Sequence, residues 1–372
     1  MTPRAASLVM ALAALVAGCA SPPAVTEPPR PAAVAEPAPS GVVALPSPIR
    51  SVAPWDDGGC PGVCVCTERY CLRLAMKDTT FRERLPAYME ACSDAYAKAI
   101  VPLPVPTERM DIYVFASRDP WEAWTRRTLG READLYLGLG RGGFTSDGTS
   151  VLYDIGRIDT LTILAHEGWH QFSQKSLKEP LPTWLEEGLA CWMEGTRMNR
   201  DGQPTAFRPW RNFERWNEAR NAVGNDSTMS LEELLETSPQ KCLERGKNDL
   251  LTYYAQAWAL VHFLNEAEGG RHREGLRRLL QDAAAGSMQA QLERVAPSAD
   301  PAARKRASRS RSGTLAFRAY FGDDLKGMSE AYADFLEAIT RRGAGDRIWR
   351  GENPLSEPTP AAKASPAPPA SK

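Results

Sequence analysis

Histidine, long apolar runs and charge of one sign are all scarce in this 372-residue chain. Its 45 basic residues nearly balance 46 acidic ones, so no global field selects nucleic acid or a strongly acidic partner. The N-terminal apolar run, Leu8 to Ala17, is too short to cross a bilayer as a mature helix. The glycine-rich stretch Leu137 to Phe144 is not followed by Gly-Lys-Ser/Thr and does not open a helix. That excludes a phosphate-cradling loop and leaves turns between strands. No cysteines form a Cys-x-x-Cys pair, which argues against a zinc knot, and no internal repeat points to a solenoid. The informative scarcity is histidine. There are four, and two of them, His166 and His170, share one five-residue motif.

The N-terminus has the pattern of a targeting segment: Arg4, a short apolar run, then small residues. Val16-Ala17-Gly18-Cys19 resembles the bacterial lipobox, which implies a signal peptide over 1–18 and lipidation at Cys19. Ala20 in place of Asp points away from retention at the inner membrane. The expectation is an exported bacterial lipoprotein of the cell envelope, at the outer membrane facing the periplasm or at the cell surface. Residues 19–55 are rich in Pro and Ala and are expected to be an extended linker; 346–372 has the same composition and is expected to be a disordered tail. Between them lie a cysteine-rich segment, 56–79, and a globular part, 80–345. Export allows disulfides, and Cys60, Cys64, Cys66 and Cys71 are dense enough to form a disulfide-stapled segment. With Cys92, Cys191 and Cys242 the count is seven, so one thiol is left over and the connectivity stays open.

Within the globular part, apolar spacing predicts a helix over Phe81–Ile100, a strand over Met110–Phe115, a short helix from Pro120 to Leu129 and a strand over Ser150–Tyr153. Further on, Ser230-Leu231-Glu232-Glu233 is a capping box, and helices are expected over Tyr253–Leu264, Gly275–Ala285 and Met328–Thr340. The basic run Arg304-Lys305-Arg306, with Arg309 and Arg311, is expected to be a solvated loop.

The chemistry concentrates in His166-Glu167-Gly168-Trp169-His170. It follows an apolar run for which Asp159 is the expected N-cap. On a helix, positions i and i+4 share a face with Cβ atoms roughly 6 Å apart, so both imidazoles can bind one Zn²⁺. Glu167 is offset from that face and can act on a water molecule as general base. A second motif, Pro182-Thr183-Trp184-Leu185-Glu186-Glu187-Gly188-Leu189-Ala190, begins a new helix with Glu187 in its second turn. The sixteen residues between His170 and Glu187 allow that helix to pack back and present a carboxylate to the same ion. Two His, one Glu and an open position make a catalytic zinc set, with one Zn²⁺ per chain.

These motifs, with Tyr254-Ala255-Gln256-Ala257 after them, resemble the gluzincin metallopeptidases. The nearer match is the bacterial peptidase-MA-like group, and the distant ones are aminopeptidase N and thermolysin. The segment Ala319 to Leu325 is similar to the closing element of that group, and the likeness spans about Arg109 to Thr340. The resemblance implies an α+β, thermolysin-like zincin. It would have a small strand-containing N-terminal lobe, a mainly helical C-terminal lobe and the zinc site between them. It implies His166, His170 and Glu187 as ligands, Glu187 being chosen over Glu186 because it precedes Gly188. Glu167 would be the base and Tyr254 the oxyanion donor. Glu194 is a candidate outer-sphere carboxylate on the Glu187 face. The Gly-x-Met-Glu-Asn element that holds a free amino group in aminopeptidase N is missing, which favours an endopeptidase acting on a peptide or protein. Cys191 stands where thermolysin-like enzymes carry an orienting Asp, and His262 and His272 match no ligand position. Two alternatives stay open: a zinc-binding envelope scaffold without turnover, and hydrolysis of a non-peptide bond.

Overall fold

The computed structural model describes residues 48–138, 142–309 and 312–356. The signal peptide, the lipidation residue Cys19 and the greater part of both the linker and the tail lie outside these residues.

The N-terminal half builds one six-stranded sheet. Strands β1 (Ser51–Asp56), β2 (Pro61–Cys66) and β3 (Tyr70–Leu74) form an antiparallel meander. Helices α1 (Thr79–Arg82) and α2 (Leu85–Lys98) cross over to β4 (Met110–Phe115), which runs parallel to β3. Helices α3 (Arg118–Leu129) and α4 (Ala133–Leu137) lead to the hairpin β5 (Gly143–Ser146) and β6 (Thr149–Tyr153). Since β6 pairs in parallel with β4, the order is β1-β2-β3-β4-β6-β5, with β5 at the edge. Period-two alternation divides β4 between two layers: Met110, Ile112 and Val114 are fully buried on one face, while Tyr113 and Phe115 pack towards Trp124 of α3 on the other.

The chain then becomes helical. Helix α5 (Arg157–Ser176) packs on β5, β6 and α2, and α6 (Thr183–Met193) packs on α5. After α7 (Phe213–Gly224), α8 (Leu231–Glu236) and α9 (Pro239–Arg245), the long α10 (Lys247–Glu266) runs through the middle of this part. Every residue of α10 from Leu250 to Leu264 is buried, because α6, α7 and α9 surround it. The remainder is α11 (Arg273–Ala285), α12 (Met288–Val295), α13 (Pro301–Arg309), α14 (Gly313–Phe321), α15 (Leu325–Thr340) and α16 (Ala344–Arg350). The expected mixture of a sheet-bearing N-terminal part and a mainly helical C-terminal part is therefore present. No helix of the described residues is long and apolar enough to cross a membrane.

Several expected boundaries need correction. The linker does not reach residue 55, because Ser51–Asp56 is strand β1; Pro54 is tolerated there since β1 lies at the sheet edge. The tail does not begin at 346, because α16 buries Ile348 against the helical part. The single helix expected over Phe81–Ile100 is two, parted at Glu83–Arg84. Pro86 in the first turn of α2 has no N–H to continue the earlier ladder. The basic run is helix α13 rather than a loop. Asp300 accepts from Ala302 N and Ala303 N at its start, and Arg311 lies outside the described residues. The cysteine-rich segment is a strand pair in which Cys66 and Cys71 are register partners joined by a disulfide, while Cys60 and Cys64 carry free thiols.

Candidate metal centre

Helix α5 does not start on Asp159, which falls within its first turn. Gly156, at φ 103°, is the N-cap; Asp154 accepts from Gly156 N (3.0 Å) and from Thr160 Oγ1 (3.2 Å), which ties the entering chain to the helix. The helix is pinned to α2 by Tyr96, whose hydroxyl donates to Ala165 O at 2.7 Å, immediately before the motif. Gly168 makes this approach possible, because a Cβ there would lie 2.6 Å from the Tyr96 hydroxyl.

The structure brings His166, His170 and Glu187 together in a fully buried cluster. Glu187 Oε2 lies 3.6 Å from His166 Nε2 and 3.5 Å from His170 Nε2, and the three donor atoms all lie within 4.8 Å of one another. Each of these three atoms is buried and has no hydrogen-bond partner among the described residues. A tetrahedral ion with bonds of about 2.0–2.1 Å spaces its donors about 3.4 Å apart, close to the two Glu187–His separations, so the three residues could hold one metal ion. The opposite face of each ring is tied to a carboxylate: His166 Nδ1 lies 2.9 Å from Glu194 Oε1, and His170 Nδ1 lies 2.8 Å from Glu186 Oε1. These contacts place a proton on Nδ1 of each ring and leave Nε2 as the nitrogen that faces Glu187 Oε2.

Both orienting carboxylates are held in turn. Ser173 Oγ donates to Glu186 Oε1 at 2.6 Å. Glu194 accepts from Arg215 Nη2 (2.9 Å) and Asn212 Nδ2 (2.6 Å). Burial would raise the Glu194 carboxyl, but the Arg215 guanidinium and His166 outweigh it and pull it down to about 2. Burial likewise opposes charge on His170, yet Glu187 and Glu186 push it up to about 9. The cluster thus concentrates anionic donors around a space that attracts protons or a cation. Burial raises Glu167 above the usual carboxylate range, against the opposing pull of His170 and His166.

Tyr254 is fully buried with its ring edge-on to His166, the centroids 6.0 Å apart, and the Arg215 guanidinium lies over it at 5.2 Å. Its neighbour Tyr253 has a buried hydroxyl without a hydrogen-bond partner among the described residues. Cys191 Sγ reaches His166 Nδ1 at 4.0 Å, and Glu194 Oε1 meets the same atom at 2.9 Å, so the carboxylate makes the shorter of the two contacts. A second group of possible metal donors, His166, Cys191 and Glu194, uses the same Nδ1; there Glu194 is already engaged by Arg215 and Asn212. His262 and His272 lie outside both groups and pair with Glu266 and Glu268 respectively. Strand β6, which immediately precedes α5, is interior to the sheet; the sheet edge next to α5 is β5.

Glu186, Thr145, Ser173, Asn212 and Arg215 were not assigned roles from the sequence. Only Glu186 had a visible signal, the Glu-Glu doublet itself, which sets two carboxylates about 100° apart on one helix.

Over residues 160–286 the chain matches the model of a family described as "Protein of unknown function (DUF1570)". No curated protein matches it. The matched stretch begins inside α5 and ends just past α11, so it contains His166, Glu167, His170, Glu187, Glu194 and Tyr254.

Proposed function

We propose that this chain is a zinc-dependent endopeptidase with a thermolysin-like, gluzincin arrangement, carried on the cell envelope through a lipid at Cys19. The observation that carries this reading is the set of three buried, unpartnered atoms, His166 Nε2, His170 Nε2 and Glu187 Oε2, beside the carboxylate of Glu167. Zinc held there supplies Lewis acidity to a carbonyl and to water.

The chain's own residues perform the rest. His166 and His170 present Nε2 because Glu194 and Glu186 hold their other nitrogens. Glu167 takes a proton from water and returns it to the leaving amine. Tyr254, against His166, donates to the developing oxyanion, a contact type that contributes about 3 kcal/mol. Strand β5, at the sheet edge beside α5, would be the element along which an extended peptide lies.

Metal analysis and a peptide-library assay test this. One zinc per chain, lost in His166→Ala, is expected. Cleavage is expected to vanish in Glu167→Gln with zinc retained. Purified protein without zinc would overturn the reading. A second reading, zinc binding without turnover, is favoured by the complete burial of Glu167 and His170. Stoichiometric zinc with no cleavage of any library peptide selects it.

A further inference from the structure

The carboxylate of Glu167 is held on one side only. Among the described residues its hydrogen-bond donor is Thr145, whose Oγ1 lies 2.8 Å from Oε2 and 3.0 Å from the Glu167 main-chain oxygen. Oε1 is buried and has no hydrogen-bond partner among the described residues. Ser150 stands behind Thr145: its Oγ is 3.0 Å from Thr145 Oγ1 and 3.3 Å from Glu167 O. All three residues are essentially solvent-inaccessible.

This arrangement follows from strand register. Thr145 and Ser150 are direct cross-strand partners in the β5–β6 hairpin, so both hydroxyls emerge on the sheet face that α5 covers. The hairpin is clamped to the same helix at its turn. Gly148 N donates to Gln174 Oε1 (2.7 Å), and Gln171 Nε2 donates to Gly148 O (2.9 Å). Asp147 and Gly148, at φ 47° and 68°, give the two left-handed positions that a tight hairpin requires. Each hydroxyl carries one proton. The charge-assisted bond is the stronger use of the Thr145 proton, so it goes to Oε2, and the Ser150 proton goes to Thr145 Oγ1 or to Glu167 O.

We propose that Thr145, backed by Ser150, is a positioning residue that selects Oε1 of Glu167 as the oxygen that accepts a proton. The proposal rests on the reading of Glu167 as a base. It ties that base to the edge strand on which a substrate would lie, so substrate seating and base orientation share one element.

Thr145→Val removes the hydroxyl and keeps the shape; Thr145→Ala removes the hydroxyl together with the methyl, should the valine variant fail to fold. Two readouts apply to the zinc-loaded and the Co²⁺-substituted full chain. One is the split between kcat and KM on a cleaved peptide. The other needs no substrate: the Kd of acetohydroxamate from the Co²⁺ absorption spectrum, since a hydroxamate gives its proton to the neighbouring carboxylate. Both variants are expected to keep full metal content, to lose kcat roughly 10- to 100-fold at unchanged KM, and to weaken acetohydroxamate by a similar factor. Thr145→Ser is expected to restore both. Wild-type acetohydroxamate affinity in Thr145→Val, with weakened affinity in Glu167→Gln, overturns this inference and leaves the base intact. Unchanged affinity in Glu167→Gln overturns the base itself. A Thr145→Ser variant as impaired as Thr145→Val shows that packing rather than the hydroxyl matters, and also overturns the inference.

Discussion

Two consecutive glutamates do different work here. Glu187 turns its unpartnered Oε2 to both imidazoles, while Glu186, one residue earlier, reaches His170 from behind. The same division holds for His166, with Glu194 behind it. Loss of Glu194 in Glu194→Ala leaves Arg215 buried without its carboxylate and His166 free to turn. Zinc affinity is expected to fall about 10- to 100-fold. Competition with a chromophoric chelator measures this; a wild-type affinity would remove Glu194 from the site. The pH dependence has a definite sign. Because His170 is pushed up to about 9, the metal-free cluster carries a proton in the neutral range, and a cation must displace it. Apparent zinc affinity is therefore expected to rise about tenfold per pH unit for each proton released, between about pH 6 and 8. For the chelated protein the sign reverses. A histidine raised above its unfolded value of about 6.5 stabilises fully below that pH, and the contribution is lost as pH climbs through about 9. Melting of the chelated protein at several pH values checks it.

At the scale of elements, the centre depends on how closely α6 meets α10. A Cβ on Gly188 would lie 2.6 Å from Ala257 O and 2.9 Å from Val261 Cγ2, so glycine sets the spacing beside Glu187. Gly188→Ala is expected to destabilise by about 1–3 kcal/mol and to lower the melting temperature by several degrees. Zinc affinity should fall with it, since the ligand adjoins the displaced turn; calorimetry with and without zinc reports both. The elements around the site were legible to different degrees. Helices α5, α6 and α10 announce themselves by apolar spacing and by the order of their motifs, and β4 by alternation. Strands β1 to β3 do not. Pro54, Gly62 and three cysteines, Cys64, Cys66 and Cys71, suppress any strand signal, and only pairing in the sheet rescues those segments.

For the whole molecule, the metal is expected to act as a cross-link between α5 and α6, and through them between the sheet and the helical part. A ligand that binds only the folded state stabilises it by about 4 kcal/mol when present at about 1,000 times its Kd. Chelation is expected to lower the melting temperature of the wild type and of Glu167→Gln alike, and to leave His166→Ala unmoved. Equal melting with and without chelator in the wild type would show that no structural metal is held.

What the sequence determined by itself is local. A four-residue spacing puts His166 and His170 on one helical face, and the Glu before Gly188 lies in the second turn of a further helix at a workable distance. Those facts depend only on helix geometry and chain length. What tertiary structure decided is which neighbours answer them. Glu194, closer than Cys191, stands behind His166, Glu186 stands behind His170, and Thr145 at a sheet edge holds Glu167. Each of these depends on strand register and helix rotation between segments distant in sequence, and no local pattern encodes a contact whose partners meet only when the core closes.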